Sequence, residues 1–104
     1  MTIQFNTDKN MSGSDRQTSP LIVLLTEGLS KYSSQITRLE VHLSDENGRK
    51  EAINDKRCML EARLEGRQPI AVIHHADNHE QAITGAIEKL NTMLNSILGR
   101  LKTH

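Results

Sequence analysis

The sequence predicts an α+β domain of order β-α-β-β-β-α, a four-stranded sheet with two helices packed on one face. Two observations carry most of that prediction. The runs "ITRLEVHLS" (Ile36 to Ser44) and "KRCMLEARLEG" (Lys56 to Gly66) alternate apolar and polar side chains, as half-buried strands do. After Asn78, apolar residues recur at helical spacing as far as Leu101. Three successive strands, each with one polar face, leave only the other face for helices to cover.

The elements follow in order. "TIQFNT" (Thr2 to Thr7) sets Ile3 and Phe5 on one side of a short first strand. "DKNMSGSDRQTS" collects turn-forming residues, so residues 8–18 are expected to form a flexible loop. Ser19-Pro20 is a helix-start signal, and the first helix is expected from there to about Tyr32. Leu21, Leu24, Leu25, Gly28, Leu29 and Tyr32 form its apolar face, with Gly28 marking a close packing contact. In the second strand Thr37, Leu39, Val41 and Leu43 are expected to point one way, and Arg38, Glu40 and His42 the other. Asn47-Gly48 is the best turn signal in the chain. In the third strand Cys58, Leu60, Ala62 and Leu64 share the apolar face, against Arg57, Met59, Glu61 and Arg63. "IAVIHHA" is the fourth strand, and the last helix runs from about Asn78 to Lys102. Neither an internal repeat nor a second domain is visible, so residues 1–104 are read as a single domain.

The bulk composition excludes several functions. Thirteen basic residues balance thirteen acidic ones, a poor footprint for nonspecific phosphate binding, although a local basic stripe remains open. With no Trp, one Tyr and one Phe, the chain has almost no aromatic surface on which to stack bases. A single cysteine forms no internal disulfide and suits a reducing compartment. The longest apolar run, "LIVLL" (Leu21 to Leu25), is far short of the roughly 20 residues that span a bilayer. No signal peptide is visible, and the expected location is the cytoplasm, with no membrane contact.

The densest chemistry lies in "IHHADNHEQAI" (Ile73 to Ile83). As a metal site it would use His74 or His75 with Asp77 and His79. Adjacent His74 and His75 leave a strand on opposite faces, so they do not converge on one ion. Asn78 followed by Gln81 reads instead as an Asn variant of the capping box, with Asp77 and Glu80 favoured near the helix start. The stretch is therefore read as a strand-to-helix junction. Cys58 lies among Leu60, Ala62 and Leu64 and reads as a small core residue rather than a nucleophile. There is no glycine-rich phosphate loop, no HExxH and no CxxC, so no enzyme, metal or cofactor is expected.

Several residues carry a family resemblance: Tyr32 and Ile36 between the first helix and second strand, the "LEARLEG" strand, "EQAITGAIEKL" and the ending "GRLKTH". In these, the whole chain resembles the short ribosome hibernation-promoting factors, also called ribosome-associated inhibitor A or sigma-54 modulation proteins. Ala82, Ile83, Lys89 and Leu90 are in step with that family's helix start. The resemblance implies the same fold and binding to the small ribosomal subunit, in the channel of messenger and transfer RNA. It implies inhibited translation without catalysis or cofactor. The RNA-facing residues would be Lys89, Arg100 and Lys102 on the second helix, with Arg38, Arg57 and Arg63 on strands. Leu25, Gly28, Thr92, Ser96 and Leu98 stand where such proteins commonly carry basic residues. Fewer cations mean fewer phosphate contacts, so weaker ribosome binding than in a typical member is expected.

A second expectation comes from the first helix, which has more apolar positions than one buried face needs. Ile22 and Val23 should point away from the core, where an apolar patch marks a partner surface. A noncatalytic module binding a protein partner or a second copy through Ile22 and Val23 is the alternative. A covering of both residues by the loop of residues 8–18 is the other way to account for them.

Overall fold

A computed structural model describes residues 1–7, 15–45 and 56–102, with side chains for residues 1–6, 20–44 and 56–98. The chain runs β1 (Thr2–Thr7), α1 (Asp15–Gly28), a 3-10 turn (Ser30–Tyr32), β2 (Ile36–Asp45), β3 (Lys56–Leu64), β4 (Ile70–Ala76) and α2 (His79–Lys102). The strands form one sheet in the order β1-β2-β3-β4. β1 pairs parallel to β2 through the α1 crossover, whereas β2, β3 and β4 form an antiparallel meander.

One hydrophobic cluster joins the helices to one face of the sheet. Leu25 of α1 and Leu29 just after it join Leu39, Val41 and Leu60 of the sheet and Ile83, Leu90 and Leu94 of α2 in this cluster, all fully buried. Ile3, Phe5, Leu21, Leu24 and Ile97 pack around its rim. The opposite face of the sheet carries no element among the described residues.

The helices meet where Gly28 has no side chain. A Cβ there would come within 2.9 Å of Ile87. The close approach lets the Asn91 amide donate to the Gly28 carbonyl at 2.9 Å. One turn further along α2, Tyr32 donates its hydroxyl proton to Asn95. The expected packing role of Gly28 is thus met.

Three local expectations are corrected. Helix α1 begins at Asp15, before the Ser19-Pro20 signal, so part of the expected loop is helical. Residues 8–14 and the Asn47-Gly48 turn lie outside the described residues. Pro20 lies inside α1, beyond its first turn, where the missing N–H removes one intrahelical hydrogen bond. The helix also ends at Gly28, and a 3-10 turn carries the chain to Tyr32. Finally, Thr37 is exposed and Ile36 is buried. The register with β3 shifts between Ile36 and Arg38, so Thr37 is the extra residue of a bulge. Its hydroxyl donates to the Arg63 carbonyl at 3.0 Å instead of entering the core.

The α2 start follows the capping prediction. The Asn78 side-chain oxygen accepts from the Gln81 backbone N–H at 2.8 Å, satisfying one amide the helix cannot.

Candidate nucleic-acid interface

The uncovered face of the sheet is built by register. Arg38 on β2 stands opposite Arg63 on β3, Glu40 opposite Glu61, His42 opposite Met59, and Ser44 opposite Arg57. Next along, Arg57 pairs with His75 on β4. The face therefore holds two basic ends, Arg38 with Arg63 and Arg57 with His75, separated by the carboxylates of Glu40 and Glu61. Arg57 and Arg63 are six positions apart on β3, about 20 Å along a strand.

The three strand arginines predicted to face RNA share this surface. Arg38 donates to Gln4 of β1, and its Nε lies 3.4 Å from Glu40 Oε2. Arg63 is exposed and has no ion-pair partner among the described residues. Arg57 is half-buried.

The predicted helix cations are placed differently. Lys89 is exposed on α2, and its ammonium donates to the Ile73 carbonyl of edge strand β4 at 2.7 Å. It thus sits at the β4 edge rather than on the open face. Two of its three protons remain for another acceptor. Arg100 and Lys102 belong to the last turn of α2, and their side chains lie outside the described residues. Lys31, which the sequence reading did not single out, is exposed beside α2. Its ammonium donates to Asn95 at 3.3 Å and stands 5.3 Å from the Tyr32 ring centre.

The histidine-rich stretch separates as strand geometry requires. His74 turns inward against α2, half-buried, where a Cβ on Gly85 would lie only 2.1 Å from its ring. Gly85 is therefore the hole that admits the imidazole. His75 lies on the open face, and His79 begins α2. The group that the sequence reading missed is elsewhere. Glu40, His42 and Glu61, all half-buried, place one ligand atom each within 4.8 Å of one another. It is the only such His, Cys, Asp or Glu group of three or more among the described residues. Two of its members are visible as a same-face pair in one strand; the third needs the β2–β3 register.

Cys58 is fully buried, and desolvation pushes its thiol up to about 12 despite the neighbouring Arg57 guanidinium. A thiol held neutral there is a core group, as expected, and not an activated nucleophile. Ile22 and Val23 are 38% and 54% exposed, so the apolar patch expected on α1 is present. Among the described residues, no helix is long and apolar enough to cross a membrane.

A mixed sheet of four strands, with both helices on one face and a charged open face, defines an α+β domain of β-α-β-β-β-α order. The chain belongs to the Sigma 54 modulation protein / S30EA ribosomal protein family, whose model matches residues 7–102. Solved structures share the fold. The Protein Y N-terminal domain of Thermus thermophilus has 17% identity and a TM-score of 0.67, over 93% of this chain and 99% of that one. A ribosomal subunit interface protein from Coxiella burnetii has 19% identity and a TM-score of 0.69, over 95% and 99%. No curated protein matches the chain.

Proposed function

We propose that this protein is a cytoplasmic, noncatalytic ribosome-associated factor that binds the small ribosomal subunit in the messenger and transfer RNA channel and restrains translation. Family membership across residues 7–102 carries this reading. The open sheet face supports it by presenting Arg38, Arg57 and Arg63 on one surface. Lys89, Arg100 and Lys102 extend the basic contacts along α2. No cofactor enters the mechanism: cations replace the counterions of phosphates, and the shape of the domain fills the channel.

Co-sedimentation with small ribosomal subunits at low and physiological salt tests the reading. Six phosphate contacts on single-stranded RNA give a salt slope of about −4, at roughly 0.7 per contact. Saturable binding that weakens with that slope is expected. The double variant Lys89→Glu with Arg100→Glu should bind more weakly while remaining folded. Absence of binding at both salts overturns the proposal, and parental binding by the double variant overturns the assigned surface.

The exposure of Ile22 and Val23 supports a second reading, a homodimer or protein-binding module on the same fold. Apolar association resists added salt, whereas RNA binding does not. Sedimentation of the purified protein across the same salt range separates the two.

A further inference from the structure

The acidic middle of the open face has no role in phosphate binding, yet it is the best-organised group on that surface. Glu40 and His42 are two apart on β2, so their side chains leave the sheet on the same side. Glu61 stands directly opposite Glu40 on β3. Their ligand atoms lie within 4.8 Å of one another.

Two distances define what this arrangement suits. His42 Nε2 is 3.5 Å from Glu40 Oε1. A good N–H···O hydrogen bond is about 2.9 Å. Two ligands on one tetrahedral ion, with bonds of about 2.0–2.1 Å, stand about 3.4 Å apart. The observed separation matches an edge of that tetrahedron better than a hydrogen bond. Arg38 Nε lies 3.4 Å from Glu40 Oε2, the oxygen other than the one nearest His42. The guanidinium therefore orients Glu40 from behind and leaves Oε1 facing the imidazole.

Glu61 has no such partner. Among the described residues its carboxylate makes no ion pair or hydrogen bond, although it is half-buried and opposes another carboxylate. Like charges directly across a strand pair oppose the pairing. A cation between the two carboxylates reverses that term.

We propose that Glu40, His42 and Glu61 bind a divalent transition-metal ion of the zinc class on the open face of the sheet. One imidazole and two carboxylates form a donor set that suits Zn²⁺ and its first-row neighbours. The imidazole weighs against Ca²⁺ and Mg²⁺, which take oxygen ligands. Three protein ligands leave one tetrahedral position for water. The site stands whether or not the chain binds ribosomes.

Calorimetric titration of the full chain with zinc chloride tests it, with His42→Ala, Glu61→Gln and His75→Ala alongside. One ion per chain is expected. Binding should fall at least tenfold in His42→Ala and in Glu61→Gln, and stay unchanged in His75→Ala. Thermal unfolding supplies an independent readout. Zinc should raise the Tm of the parent but not of Glu61→Gln, whereas Glu61→Gln alone should raise the Tm of the metal-free protein by removing the opposed charge. Lack of saturable binding, or equal binding by parent and His42→Ala, overturns the proposal. So does a zinc-dependent Tm rise of the same size in Glu61→Gln.

Discussion

The two faces of the sheet come from the same strands, residue by residue in alternation, and bear opposite chemistry. Toward the helices, Leu39, Val41, Cys58, Leu60 and Ala62 are wholly buried. Away from them, Arg38, Glu40, His42, Arg57, Glu61 and Arg63 all reach solvent. A slip of one residue in register would exchange the faces. One pairing scheme therefore sets both the core and the charged surface. Substitutions on the inner face should therefore be read in stability, and those on the outer face in binding.

The sharpest way to break that division is on the inner side. Leu60→Ala deletes a fully buried side chain at the centre of the sheet. A loss of about 2–5 kcal/mol is expected, measured by urea unfolding. A smaller loss, about 1–3 kcal/mol, is expected for Gly85→Ala, because its methyl would occupy the place of the His74 ring. Alanine's better helix propensity returns up to about 1 kcal/mol of that. His74→Ala in the same chain should recover most of the loss, and a double-mutant cycle measures the coupling.

Cys58 gives a pH-dependent test of the inner face. Its folded-state value near 12 lies above the ordinary 9.0. Its contribution is therefore complete below pH 9.0 and is lost as pH rises toward 12. Unfolding curves should be insensitive to this thiol at neutral pH and weaken in alkali, and Cys58→Ala should flatten the alkaline limb. On the outer face the expected changes in stability are smallest. Arg38→Ala and Arg63→Ala should each shift it by no more than about 0.5 kcal/mol. Each should also reduce the salt slope of ribosome association by roughly 0.7. A large stability loss from either arginine would erase the distinction between the faces.

Much of the fold was legible because alternation is a strong signal. It placed Leu39, Val41, Leu43, Cys58, Leu60 and Ala62 correctly, and the helical stripe placed Ile83, Leu90 and Leu94. Alternation also mispredicted Thr37, because a bulge inserts one residue without altering the local pattern. Pro20 concealed the true start of α1, since proline more often opens a helix than sits within one. The site was legible only where it depends on position along one strand. Arg38, Arg57 and Arg63 were assigned to polar faces from the sequence alone. That Arg38 opposes Arg63, or that Glu61 completes a group with Glu40 and His42, depends on pairing across a long connection. Gly85 gave no warning, because a glycine in a helical stripe reads the same whether or not a ring fills the space above it.

The parallel pairing of β1 has a consequence for how the chain assembles. Asp45 finds Lys56 across eleven positions, and β3, β4 and α2 follow one another directly. Thr2 must find Arg38 across thirty-six. Closing the longer span costs about 1 kcal/mol more chain entropy. The meander can lay α2 against its inner face before β1 arrives, and Leu60, Ile83, Leu90 and Leu94 need nothing from the first strand to meet. The crossover then docks as a unit, β1 along the edge of β2 and α1 against Ile87. The amino-terminal third is therefore expected to join late a nucleus built by the rest of the chain, and native-state hydrogen exchange should release the amides of β1 and α1 before those of β3, β4 and α2.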